Sequence, residues 1–237
     1  MLFIVATPIG NLDDVSARAL TTLREADVIA CEDTRRTRIL LDHYKIPIPR
    51  HFVSYREHQE GRAGEYLLAL LKEDKKVALC SDGGFPGISD PGYRLVRLAI
   101  DENIAFEVIP GASAVPVALV LSGLPSSSFT FKGYPPRKGG PIRRFFEEEK
   151  DMPHTLIVFE SPFRVAASLA AALEALGDRQ AAVCIELTKK FERVSRGFLS
   201  DLKAEFADKK IKGEVTIVIA GNNPKFCRET SAPKTLP

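Results

Sequence analysis

The chain has few cysteines, few histidines, almost no net charge and no long apolar run. Its four cysteines, Cys31, Cys80, Cys184 and Cys227, lie far apart. They form no C-x-x-C pair, which argues against a disulfide scaffold and for a reducing compartment. The four histidines, His43, His51, His58 and His154, are scattered without metal-ligand spacing, so no metal site is expected. A net charge of +2 gives no whole-protein case for nucleic acid, and local clusters must make it. The run 114–121 is among the longest apolar stretches, and eight residues cannot span a bilayer. The opening Met1-Leu2-Phe3-Ile4-Val5 lacks a basic flank and is too short for a secretory signal. A cytoplasmic protein with no membrane partner is expected.

Common site signatures are absent too. Neither G-x-G-x-x-G nor G-x-x-x-x-G-K-[ST] occurs, so dinucleotide and P-loop readings lack support. Ser113 has no G-x-S-x-G context, which argues against a hydrolase elbow.

What is present is an alternation of short apolar runs and helix-like segments. Strands are expected at 2–6, 28–31, 53–55, 77–80 and 106–109, and helices at 14–26, 37–44, 61–73, 93–101 and 112–121. This indicates an α/β unit with a mostly parallel sheet. The segment 124–141 is rich in Ser, Pro and Gly and short of periodicity, so a domain boundary is placed there. Beyond it, helices are expected at 143–149, 163–176 and 199–207, and strands at 155–159, 182–187, 194–197 and 215–220. The division expected is an N-terminal domain 1–123, a C-terminal domain 124–221 and a flexible tail 222–237.

The most loaded segment is 81–92, Ser-Asp-Gly-Gly-Phe-Pro-Gly-Ile-Ser-Asp-Pro-Gly. It holds four glycines, two prolines and two aspartates, far more than a strand-to-helix turn needs. Glycines let backbone approach a ligand and prolines stiffen the loop around it. Several expected strands end in a carboxylate: Glu32-Asp33, Asp82, Glu160 and Glu186. Ligands of open α/β sheets bind at that edge. Each carboxylate alone also reads as an ordinary helix cap. Ala6-Thr7-Pro8-Ile9-Gly10-Asn11-Leu12 and Pro110-Gly111-Ala112-Ser113-Ala114 occupy equivalent strand-to-helix positions. The run 132–144 carries five basic residues and no acid, with Tyr134 interleaved, which suits contact with a phosphate backbone or a solvated linker.

Together these motifs resemble the tetrapyrrole-methylase superfamily of S-adenosylmethionine-dependent methyltransferases. The likeness rests on 6–12, Cys31-Glu32-Asp33-Thr34-Arg35, 81–92, 109–114, Glu160-Ser161-Pro162, Glu186-Leu187-Thr188-Lys189 and Lys212-Gly213-Glu214. Within the superfamily it is most similar to the branch that methylates a cytidine 2′-hydroxyl in 16S rRNA. The resemblance implies two α/β domains with S-adenosylmethionine in the interdomain cleft, and a homodimer. It implies cofactor contacts from Ile9, Asp82, Gly83, Gly84, Phe85, Pro86, Ser113, Ala114, Phe159 and Thr216. It implies 16S rRNA, within the 30S subunit, as substrate. Arg35, Arg137, Lys138 and Arg164 are the expected substrate contacts, and Lys189, oriented by Glu186, the expected base. In the usual loop Ala-Thr stands where this chain has Gly84-Phe85, and histidine is common at Phe163. Two other readings stay open: methylation of a tetrapyrrole or corrin ring, and a cofactor-binding module without catalysis.

Overall fold

The computed structural model describes residues 1–228. Its contacts divide the chain into two compact units, Met1–Ser113 and Ala114–Pro237.

The first unit is a five-stranded, wholly parallel sheet of β1 (Leu2–Val5), β2 (Val28–Cys31), β3 (His51–Ser54), β4 (Val77–Cys80) and β5 (Phe106–Ile109), in the order β3-β2-β4-β1-β5. The run Val28-Ile29-Ala30-Cys31 is buried throughout, as a central parallel strand covered on both faces must be. Helices α1 (Ala17–Glu25) and α2 (Thr34–His43) bury Ala19, Leu23, Leu40 and Leu41 on one face. Helices α3 (Glu60–Lys72) and α4 (Tyr93–Asp101) bury Leu67, Leu70, Leu71, Leu95 and Ala99 on the other. Strands β1 and β4 are therefore neighbours whose outgoing helices leave to opposite faces. That is the topological switch point at which open α/β sheets hold ligands.

The second unit departs from a parallel pattern. It holds β6 (Phe129–Phe131), β7 (Thr155–Glu160), β8 (Gln180–Ile185), β9 (Arg193–Phe198) and β10 (Val215–Ile219), in the order β6-β7-β10-β8-β9. Only β6 and β7 run parallel, and β10 lies antiparallel to both its neighbours. Helices α6 (Gly139–Glu147), α7 (Val165–Leu176) and α8 (Leu199–Phe206) cover one face around Phe146, Leu169 and Phe206. Helix α5 (Ala114–Ser122) packs on β8 and β10, with the Cys184 thiol 3.9 Å from the Ala118 carbonyl.

Two readings of the sequence change. The segment 124–141 is not free of regular structure, since β6 and the start of α6 lie in it. The units meet at 113/114 rather than 123/124, because α5 packs within the second unit. Of the tail 222–237, residues 229–237 lie outside the described residues. Before them, Arg228 pairs with Asp178 and Asp201, and Cys227 bridges to Arg179. No helix among the described residues is long and apolar enough to cross a membrane.

Candidate active site

The three glycine-bearing loops converge at the carboxyl edge of the first sheet. Thr7 and Gly84 exchange backbone hydrogen bonds of 2.9 Å, which joins the loop after β1 to the loop after β4. The Thr7 hydroxyl donates to the Ser81 carbonyl at 3.2 Å, and the Ser81 hydroxyl to the Gly84 carbonyl at 3.2 Å. Gly84 has φ +88°, a conformation that side chains rarely adopt. A Cβ there would stand 3.5 Å from Ile9 Cγ2 and 3.7 Å from the Ala112 carbonyl. One at Gly83 would stand 3.4 Å from the Pro8 carbonyl. The wall formed by Ile9, Gly83 and Gly84 with Ala112 is thus largely backbone.

Asp82 follows β4, which lies between β2 and β1. Its Oδ1 accepts from the Asp33 N–H at 2.9 Å, and its Oδ2 stands 3.7 Å from Arg36 Nε. Asp33 caps α2 by accepting from the Arg35 N–H at 2.9 Å, as the bland reading had it. The Arg35 side chain also grips that carboxylate at 3.0 and 2.5 Å. These bonds hold the Asp33 carboxyl well below the usual range. Glu32 behaves oppositely. Burial, then the negative charge of Asp82, pushes its carboxyl up despite nearby Arg36 and Arg56.

Seven expected cofactor residues, Ile9, Asp82, Gly83, Gly84, Phe85, Pro86 and Ser113, belong to the first unit. Ala114, Phe159 and Thr216 belong to the second. Thr216 pairs with both Phe159 and Cys184, so these three share one face of the second sheet. The α5 helix that Ala114 opens covers that face. The Phe159 ring is held by Phe131 and Tyr134 at centroid distances of 4.7 and 5.7 Å.

At the carboxyl ends of β7 and β8 the charged groups are bound to one another. Glu160 is buried and accepts from the Ser161 N–H at 2.7 Å and from the Ser168 hydroxyl. Arg164 Nη1 stands 3.3 Å from it, while Nη2 donates to the Pro135 and Pro136 carbonyls at 3.0 and 2.7 Å. Arg164, expected at the phosphate backbone, instead clasps the 132–138 loop to β7. Sequence reading had no signal for those two carbonyl acceptors. Arg137 and Lys138 are exposed where α6 begins. With Arg143, Arg164, Ala171 and Lys203, Arg137 lines an open groove of about 910 Å³.

Lys189 Nζ lies 2.8 Å from Glu186 Oε1 and 3.1 Å from Glu214 Oε2. Burial lowers its pKa, but the hydrogen bonds to Glu186 and Glu214 outweigh that and raise it overall. The ammonium is then the form present at neutral pH. The expected pairing with Glu186 exists, yet in this arrangement Lys189 has no lone pair with which to accept a proton. Glu186 also accepts from the Glu214 N–H at 2.9 Å and itself has φ +53°. A Cβ at Gly213, φ +93°, would overlap the Glu186 carboxylate. No group of three or more His, Cys, Asp or Glu among the described residues could hold a metal ion.

Residues 1–203 match the pattern of the family described as Tetrapyrrole (Corrin/Porphyrin) Methylases. The chain is 50% identical over 220 residues to the ribosomal RNA small subunit methyltransferase I of Mesorhizobium japonicum, across 92% of this chain and 74% of the relative. It is 47% identical over 224 residues to the Halalkalibacterium halodurans protein of that name, across 94% and 77%. To the Thermotoga maritima one it is 44% identical over 220 residues, across 93% and 98%. Among solved structures, a diphthine synthase superposes with TM-score 0.73 at 18% identity, covering 92% of this chain and 89% of that one. A cobalt precorrin-4 methyltransferase gives 0.70 at 18%, covering 92% and 94%, and at such identities the likeness speaks for the fold alone. Two α/β units, a glycine-walled switch point and these matches converge: the chain belongs to the tetrapyrrole (corrin/porphyrin) methylase family.

Proposed function

We propose that the protein transfers a methyl group from S-adenosylmethionine to the ribose 2′-hydroxyl of a cytidine in the decoding region of 16S rRNA. The observation that carries this reading is its 42–50% identity, over more than nine-tenths of its length, to proteins named ribosomal RNA small subunit methyltransferase I. The assembled 30S subunit as substrate, a homodimer and a cytoplasmic location belong to the same reading.

The residues present fit the cofactor. Gly83, Gly84 and Gly111 leave backbone rather than side chain at the loop junction, where a Cβ on Gly111 would stand 3.1 Å from that of Ala6. Ile9, Phe85 and Ser113, beside that wall, are the groups that would hold it. S-adenosylmethionine supplies a sulfonium-bound methyl group. The chain's part is to align the acceptor oxygen and dispose of its proton, and positioning alone can supply much of the rate. The Lys189 ammonium offers positive charge to an acceptor oxygen rather than a base. Arg35, Arg137 and Lys138 are the proposed contacts to phosphates.

The test is incubation with labelled S-adenosylmethionine and 30S subunits from cells lacking the activity. Label in a single rRNA ribose supports the proposal. Label only in a porphyrinoid overturns it, and cofactor binding without transfer identifies a non-catalytic module. Asp82→Ala should weaken cofactor binding in a calorimetric titration, and undiminished binding would show the pocket to be misplaced.

A further inference from the structure

One edge of the second sheet collects exposed aromatic rings and cations. Because β10 is antiparallel to β7 and β8, its start lies at the carboxyl ends of both, where Val215 pairs with Glu160 and Ile185. The start of β9 lies there too, with Arg193 opposite Ile185. The end of β6 joins them, since the Phe159 N–H donates to the Gly133 carbonyl at 2.9 Å. Reading along the strand order, the edge therefore presents Tyr134, Phe163, Lys212, then Lys190 with Phe191, then Arg193.

The rings are open to solvent to a degree that packing does not explain. Phe163 is 92% exposed, Phe191 75% and Tyr134 57%. A large apolar ring left in water is disfavoured unless something covers it. Lys190 Nζ stands 5.7 Å from the Phe191 centroid, so cation and ring are presented together. Phe163 lies in the turn after β7 and Phe191 in the turn just before β9, strands three sheet spacings apart, about 14 Å. The acids of this edge do not cancel the charge evenly. Glu160 faces Arg164, Glu186 and Glu214 share Lys189, and the exposed Glu192 accepts from the Thr188 N–H at 2.7 Å, while Lys190, Arg193 and Lys212 remain exposed.

The geometry points to a binding edge for single-stranded RNA, in which Phe163 and Phe191 stack on bases and Lys190, Arg193 and Lys212 meet the phosphates between them. Aromatic faces separated by cations suit an unpaired strand, whose base faces are open. A duplex buries those faces, and a protein partner would favour a contiguous apolar patch with few charges. The inference rests on the rRNA reading above and names the surface by which that substrate would be held.

The experiment measures binding of a short fluorescein-labelled single-stranded RNA, and of the matching duplex, to the full chain by anisotropy. Phe163→Leu and Phe191→Leu keep apolar bulk but lose the planar ring. Each should weaken single-strand binding by about tenfold, the loss a missing base–aromatic stack produces. Phe163→Tyr should retain it, and calorimetric titration of S-adenosylmethionine should be unchanged in all three. Leucine variants that bind the single strand like the parent, or a parent that prefers the duplex, would overturn the inference. Methyl transfer to 30S subunits is measured alongside. Transfer with an unaltered KM for RNA in the leucine variants removes the stacking edge and keeps the enzyme. Ring-dependent RNA binding by a parent that transfers no methyl group does the reverse.

Discussion

Arg164→Met tests the clasp between β7 and the 132–138 loop. The substitution keeps an unbranched side chain of similar reach and removes every donor. The Glu160 side chain is 0% exposed and that of Arg164 23%. Removing one partner of a buried ion pair costs about 3–5 kcal/mol, because the other charge is left in a poor solvent. Arg164 keeps some contact with water, and Glu160 keeps its bonds from Ser161 and Ser168, which places the loss near the lower end, about 3 kcal/mol. For a chain of this size that corresponds to a fall in melting temperature of roughly 6–12 °C. Urea unfolding followed by circular dichroism reads the first quantity, and trypsin cleavage after Arg137 and Lys138 reads release of the loop. Glu160→Gln in the same chain should recover part of the loss, since the amide can still accept from Ser161 and Ser168 and carries no charge. The pair should couple by about 1–3 kcal/mol. An Arg164→Met protein within about 1 kcal/mol of the parent, or strictly additive losses, would refute the clasp.

Three further outcomes are expected. Lys189→Met should lower methyl transfer without reshaping its pH profile between pH 6 and 9 (roughly the range in which amine bases are poised), because a lysine whose folded pKa is raised stays charged below its unfolded value and loses that stabilisation only in alkali; disappearance of a limb of the profile would identify Lys189 as the base after all. Gly213→Ala should destabilise the protein by about 2–4 kcal/mol, since φ +93° is strained for alanine and the Glu186 carboxylate must leave both Lys189 and the Glu214 N–H; urea unfolding measures it, and an unchanged midpoint would contradict the placement. Iodoacetamide at pH 8 should label Cys227 alone, because burial pushes the thiols of Cys31 and Cys184 up to about 11 and that of Cys80 up further still; intact mass showing two or more adducts before unfolding would count against the buried placement.

Where an apolar run is short and clearly bounded, its sequence is enough. Val28–Cys31, Val77–Cys80, Phe106–Ile109 and the Tyr93–Asp101 helix fall where their residues place them. Phe129–Phe131 does not, because three residues amid Ser, Pro and Gly become a strand only through pairing with Thr155–Ile157. The reversal of β10 is equally hidden, since the chain turns back between β8 and β9 and α8 then carries it across to β10 in the direction of β9. At the candidate site, glycine and proline density exposed the three loops. Their junction depended on β4 lying beside β1, which no local pattern encodes. Arg164 and Lys189 were legible as charges but not by their partners. Both turn toward groups brought close by the fold, the Pro135 and Pro136 carbonyls and Glu214.

The central place of β10 bears on how the chain is made. Residues 215–219 supply the strand between β7 and β8, yet they follow every other strand of the described residues in the sequence. Until they emerge, β7 and β8 each offer an unpaired edge to any other strand. The first unit is complete in sequence by residue 113 and can form from the amino terminus onward as it appears. Folding of the nascent protein is therefore staged: the parallel sheet can finish early, while the second sheet stays open until residues 215–219 pair with both β7 and β8.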